Sequence, residues 1–128
     1  MVIEALISFL NRRVIKTLIL ACKGLVVAFS GQEAFRFELV IFFVSIPIAF
    51  FVAQTNLQIL LLLAVGILVL IVELLNTAIE LVVDRIGLEF NKLSGHAKDV
   101  GSSAVFLSLL LYVLVWAVTI IDNFIVMG

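Results

Sequence analysis

Three stretches of this chain are so predominantly apolar that they restrict it to one solvent: residues 37–54, the run that starts at Leu57, and residues 100–121. Each is about as long as a helix must be to cross a hydrocarbon core, roughly 17–25 residues for about 30 Å. The composition agrees, with 65% hydrophobic and 13% charged residues, one proline in 128 positions and a mean hydropathy of +1.38. Soluble domains carry a much smaller apolar share. The chain therefore reads as a single-domain, all-α integral membrane protein. A net charge of −1 gives no indication of a nucleic-acid partner.

Placement of the charges orients the spans. The first two are joined by the short turn Thr55-Asn56 and must be antiparallel neighbours. Arg12, Arg13, Lys16, Lys23 and Arg36 precede the first span, and Arg85, Lys92 and Lys98 lie between the second and third. The Thr55-Asn56 turn and the tail after Ile121 carry no Lys or Arg. By the positive-inside rule the N-terminus and the 85–99 connection are cytoplasmic and the C-terminus is outside, in a bacterial inner membrane.

The N-terminal segment, about residues 5–30, follows a different pattern. Ile7, Leu10, Val14, Leu18, Ala21, Leu25 and Phe29 share one helical face, while Arg12, Lys16 and Lys23 share the opposite one. Such a helix lies along the cytoplasmic leaflet with its cations toward the headgroups. Ser30-Gly31 is expected to break it before the first span. It is not a signal peptide, because its apolar run precedes the charges and no small-residue cleavage site follows. Cys22, the single cysteine, is a small apolar filler.

The second span, 57–84, ends in the unusual run Glu73-Leu-Leu-Asn76-Thr77-Ala-Ile-Glu80-Leu-Val-Val-Asp84. At about 100° per residue, Glu73, Asn76, Thr77, Glu80 and Asp84 fall within one stripe, and the other side chains there are aliphatic. Ionisable groups at membrane depth are costly, and they usually face a bundle interior where they act in chemistry, transport or assembly. Glu73 would lie about 24 Å along the helix from Leu57, near the cytoplasmic edge of the hydrocarbon, with Glu80 and Asp84 further out. A lipid hydroxyl could meet Glu73 while a charged cosubstrate meets Glu80, an arrangement suited to phosphoryl transfer. Spacing alone also accommodates a proton relay in a small oligomeric channel or proton-coupled transporter.

A polar connection follows, Leu93-Ser94-Gly95-His96-Ala97-Lys98-Asp99-Val100-Gly101-Ser102-Ser103, read as a loop leading into the third span with an N-cap at Asp99 or Ser102. Lys98 is a point charge suited to phosphate, and small residues at a helix start leave backbone N–H groups open to an anion. His96 reads as exposed and incidental. No G-x-x-x-x-G-K-[ST] run occurs, so a P-loop is excluded.

Taken with Lys23-Gly24-Leu25 and Ala34-Phe35-Arg36, the motifs Glu73-Leu-Leu-Asn76-Thr77-Ala-Ile-Glu80, Val83-Asp84-Arg85-Ile-Gly87 and Leu93 to Ser102 closely resemble the bacterial integral-membrane diacylglycerol kinase family. The resemblance spans nearly the whole chain. It implies a homotrimeric bundle, each subunit having an amphipathic surface helix and three transmembrane helices, with sites shared between subunits. The implied reaction moves the γ-phosphate of ATP, with Mg²⁺, to the primary hydroxyl of diacylglycerol, giving phosphatidic acid. By the same resemblance Glu73 is the catalytic base and Glu80 a metal ligand. Asn76, Glu80, Lys98 and Asp99 fall in the nucleotide site, with Glu89 and Lys16 at its edge. Arg36, Glu38, Ser102 and Trp116, beside Glu73, fall in the lipid site.

One position departs from the family pattern. A second metal-ligating glutamate is expected two residues before Ala34-Phe35-Arg36, where this chain has Gln32, and a glutamate follows one place later, at Glu33. One residue turns a helical side chain by about 100°, so Glu33 cannot replace it on an unbroken helix. Some relatives phosphorylate undecaprenol instead, but Ala34-Phe35-Arg36 and Trp116 are closer to the diacylglycerol type.

Overall fold

The computed structural model describes residues 1–126, and every regular element among them is helical. The elements are α1 (Val2–Gly31), α2 (Glu33–Val52), α3 (Asn56–Ile86) and α4 (Lys92–Ile121), followed by a π-helical turn, Asp122–Val126. All 4 α-helices are long and apolar enough to cross a membrane, α1 included. The chain divides into two compact units, Met1–Gln32 and the remainder from Glu33.

The first unit is the single helix α1. Its polar side chains fold back on their own backbone: Arg12 Nε donates to Ser8 O at 3.3 Å, and Thr17 Oγ1 to Arg13 O at 2.9 Å. The break comes later than Ser30-Gly31. Both residues remain helical, and Gln32 is the residue that turns extended, at φ −123° and ψ 114°, with its N–H bonded to Ala28 O at 2.9 Å. Glycine and serine are tolerated in a last helical turn, where few further bonds depend on them.

In the second unit α3 packs against both α2 and α4. The reversal between α2 and α3 is tight. Thr55 is the N-cap of α3, its side chain accepting from Gln58 N at 3.2 Å, so Asn56 already belongs to the helix. Phe35, Ala49, Val52, Leu62, Val65, Val69 and Val83 are the buried apolar side chains of this unit. Gly66 lets α2 come close: a Cβ there would lie 2.7 Å from the Phe42 ring. Pro47 sits inside α2, which a membrane helix tolerates better than a soluble one.

The polar connection before α4 is not a loop. Helix α4 begins at Lys92 and continues through residues 93–103. Asn91, not Asp99 or Ser102, is the N-cap, its side chain accepting from Ser94 N at 3.1 Å. The weak helix formers Ser94 and Gly95 therefore fall in a first turn that the cap supports. The open backbone N–H groups of this helix lie near Asn91, two turns before Asp99.

At the other end of the unit, Asn123 is buried and joins all three helices. Its Nδ2 donates to Val52 O at 2.9 Å and to Gln58 Oε1 at 3.0 Å, and its Oδ1 accepts from Gln58 Nε2 at 3.2 Å. Gln54 N also donates to Gln58 Oε1 at 2.8 Å.

Candidate active site

Helix α3 carries the polar stripe on one face, and exposure rises along it. Glu73 is 4% exposed, Asn76 8% and Thr77 5%. Glu80 is half-buried and Asp84 exposed. The i to i+4 spacing brings Asn76 over Glu80, and Asn76 Nδ2 donates to Glu80 Oε1 at 3.2 Å. Glu73 is close enough to Glu80, and Glu38 on α2 close enough to Glu73, for their charges to repel.

The first turns of α4 face the open end. Lys98 Nζ donates to Asp84 Oδ1 at 2.7 Å, and that bond holds the lysine pKa above its usual value. Lys98 also feels the charge of Glu80. A cavity of about 230 Å³ opens here, lined by Asp84, Glu89, Asn91, Ser94 and Lys98 among others. It draws Glu89 into the neighbourhood of Lys98. Asp99 and Ser102 are exposed on α4 and do not line it.

A second cavity, also about 230 Å³, lies among the helices and is almost wholly apolar, with Glu38, Phe42, Gly66, Val69, Tyr112 and Val113 in its wall. Trp116 stands next to Tyr112, their ring centres 5.9 Å apart. Its indole Nε1 is buried with no hydrogen-bond partner among the described residues, as is Glu38 Oε2. Arg36 pairs loosely with Glu33 at 3.8 Å, one helical turn apart. Lys16 and Gln32 belong to the first unit.

Sequence reasoning treated Lys98 as free for phosphate and did not pair it with Asp84, 14 residues away. It also passed over Gly101, which lies against the Asn76 side chain. Helical periodicity on α4, once that helix is known to start at Lys92, places Lys98 and Gly101 on adjacent parts of one face.

The donor set bears on a metal. No three His, Cys, Asp or Glu side chains form a candidate metal group among the described residues. Glu80 offers one half-buried carboxylate. That suits Mg²⁺, which is commonly held by one or two protein carboxylates together with substrate phosphates and water.

A helical membrane bundle with a buried carboxylate at the inner end of a polar stripe, and a lysine at its outer end, defines a membrane-embedded protein built for chemistry at the lipid–water boundary. The sequence model of the prokaryotic diacylglycerol kinase family matches residues 19–120, and the chain belongs to that family. It is 46% identical over 94 residues to a diacylglycerol kinase of Haemophilus influenzae, covering 73% of this chain and 80% of the relative. It is 41% identical over 112 residues to a diacylglycerol kinase of Escherichia coli K12, covering 88% and 92%. Identity to a diacylglycerol kinase of Pseudomonas aeruginosa is 46% over 94 residues, covering 73% and 76%.

Proposed function

We propose that the protein transfers the γ-phosphate of ATP to the primary hydroxyl of diacylglycerol, giving phosphatidic acid and ADP at the cytoplasmic face of a bacterial inner membrane. Family membership supports the lipid-kinase activity. The observation that carries the site reading is the graded stripe on α3, with Glu73 buried at one end and Glu80 half-buried toward Lys98. Phosphoryl transfer asks a protein for positioning and charge neutralisation, and this stripe provides a place for each reactant.

Glu73 takes the proton of the lipid hydroxyl as its oxygen bonds to the γ-phosphorus and the bond to the ADP oxygen breaks. A carboxylate held at the hydrocarbon edge meets that hydroxyl without drawing the glycerol backbone into water. Asn76, Glu80, Lys98 and Asp99 hold the nucleotide, with Glu89 at its margin. Lys98 leaves or shares its bond with Asp84 to meet the polyphosphate, so Asp84 keeps the ammonium oriented in the absence of nucleotide. Glu80, with Glu33 or Gln32, would hold Mg²⁺, which would offset polyphosphate charge. The apolar cavity beside Glu38 and the unpartnered Trp116 Nε1 suit an acyl chain and a lipid ester oxygen, with Arg36 and Ser102 nearer the headgroup.

The same reading makes α1 an interfacial helix rather than a fourth span, because Arg12, Lys16 and Lys23 share one face. It makes the assembly a homotrimer with sites shared between subunits, which also gives the exposed apolar side chains of α2 and α4 both lipid and partner copies to meet. ATP-dependent phosphorylation of diacylglycerol and undecaprenol, compared side by side in mixed micelles with purified protein, tests the proposal. Preference for undecaprenol would overturn the substrate, and no ATP turnover with either lipid would overturn the reaction.

A further inference from the structure

Among the buried polar atoms of the second unit, Asn76 Oδ1 has no hydrogen-bond partner. The other end of the same amide is engaged, because Asn76 Nδ2 donates to Glu80 Oε1 at 3.2 Å. An ionised carboxylate accepts and cannot donate, so the amide must turn its nitrogen to Glu80 and its oxygen away. That oxygen faces Gly101 on α4. A Cβ at Gly101 would collide with Asn76 Oδ1 and lie 3.4 Å from Asn76 Cγ. The glycine has a hydrogen in that direction, and a Cα–H directed at an amide oxygen is a weak attractive contact.

We infer that Gly101 is a positioning residue for the nucleotide side of the site: its missing side chain seats the Asn76 amide, and through it fixes the Glu80 carboxylate. The inference rests on the proposed roles of Asn76 and Glu80. Gly101 is buried, although it sits on the polar early part of α4. It lies three residues after Lys98, on a neighbouring part of the same face, and Asn76 lies two turns before Asp84 on α3. The glycine contact and the Lys98–Asp84 bond are therefore successive rungs between the same two helices. A methyl group at 101 rotates Asn76 off Glu80, so that Glu80 loses its neutral partner; were α4 pushed away instead, the Asn76–Glu80 bond within α3 would survive and the Mg²⁺ dependence would not change.

Four full-length proteins in mixed micelles decide it: wild type, Gly101→Ala, Asn76→Ala and the double variant. The readouts are turnover, half-saturating Mg²⁺, KM for diacylglycerol and the thermal unfolding midpoint. Gly101→Ala should lower turnover roughly ten- to a hundredfold, the scale of one lost hydrogen bond to a charged group. Half-saturating Mg²⁺ should rise while KM for diacylglycerol stays unchanged, which a merely structural glycine would not produce. In the Asn76→Ala background the collision partner is gone, so adding Gly101→Ala should shift turnover, Mg²⁺ dependence and unfolding midpoint little further. Equal losses in both backgrounds, or a silent Gly101→Ala, would overturn the inference. If Gly101→Ala does not fold, recovery of folding in the double variant supports it and failure of the double variant overturns it. Normal ATP and Mg²⁺ titrations in Asn76→Ala would instead overturn the nucleotide-site reading, and the unfolding midpoints would still judge the Gly101–Asn76 contact.

Discussion

Replacing Glu73 by Gln separates its shape from its basicity. The side chain is 4% exposed and sits on a helix packed on both sides, so an isosteric amide leaves volume and packing almost unchanged. What it removes is the proton acceptor, and general-base contributions are typically about 10²–10⁴-fold. Glu73→Asp makes the complementary change: it keeps the base but draws the carboxylate back by one C–C bond, about 1.5 Å. Misplacement of about 1 Å can cost on the order of 10²-fold. Turnover should therefore rank wild type, then Asp, then Gln, with Gln lower by about 10² or more. Initial rates of diacylglycerol phosphorylation at saturating ATP measure this, and nucleotide binding and elution volume in detergent should be unchanged in both variants. A Glu73→Gln protein with near-normal turnover would show that the residue is a structural polar group and that the base lies elsewhere, with Glu38 the next carboxylate to test.

Glu80→Ala should raise the Mg²⁺ requirement and Lys98→Ala should raise KM for ATP, because one loses an oxygen ligand for a hard cation and the other a phosphate charge; unchanged titrations in both would remove these two residues from the nucleotide site. If Glu33 ligates the metal, Glu33→Ala should raise the Mg²⁺ requirement sharply and Gln32→Ala little, whereas a ligating Gln32 makes Gln32→Glu lower it and Glu33→Ala silent; a flat response in all three removes this segment from the metal site. We expect Glu33, since a carboxylate offsets charge that an amide does not. Asn123→Ala removes three side-chain hydrogen bonds that tie α4 to Gln58 and Val52. At an average of about 0.6 kcal/mol for such bonds within membranes, roughly 2 kcal/mol of stability is at stake, seen as a lower unfolding midpoint with normal initial turnover; an unchanged midpoint would mean that water replaces the bonds. A reporter fused to the C-terminus should be active only outside the cytoplasm, and cytoplasmic activity would contradict the three-span orientation.

What was legible in the sequence, and what was not, divides by the range of the interaction. Local periodicity identified the stripe on α3, because Glu73, Asn76, Glu80 and Asp84 obey a 3.6-residue rule that needs no partner. Hydropathy located the long apolar helices for the same reason. It failed at residues 92–99, where polarity was read as a loop although those residues continue α4. An exposed helix capped by Asn91 and tied by Lys98 to Asp84 has no apolar face to announce it. Asn123 was invisible for a stronger reason: its partner Gln58 is 65 residues away, and neither side chain is distinctive without the other.

The same division explains the arrangement of the site. Of the groups proposed for the lipid, Glu38, Glu73 and Trp116 are buried or half-buried within the bundle and Ser102 is exposed, whereas Asp84, Glu89 and Asp99 are all exposed. Between them stand Asn76 and Glu80, bonded to each other, with Asn76 against a glycine of the next helix. On the proposed reading, a nucleotide arriving from water and a lipid hydroxyl arriving from the bilayer would approach one helix from opposite ends of its stripe. On that reading one helix, α3, sets the spacing between the proposed base Glu73 and the proposed metal ligand Glu80. Mobility at Gly87 or Asn91 would leave the spacing of Glu73 and Glu80 untouched, because both lie on α3, but it would move the proposed nucleotide contacts Lys98 and Asp99 on α4.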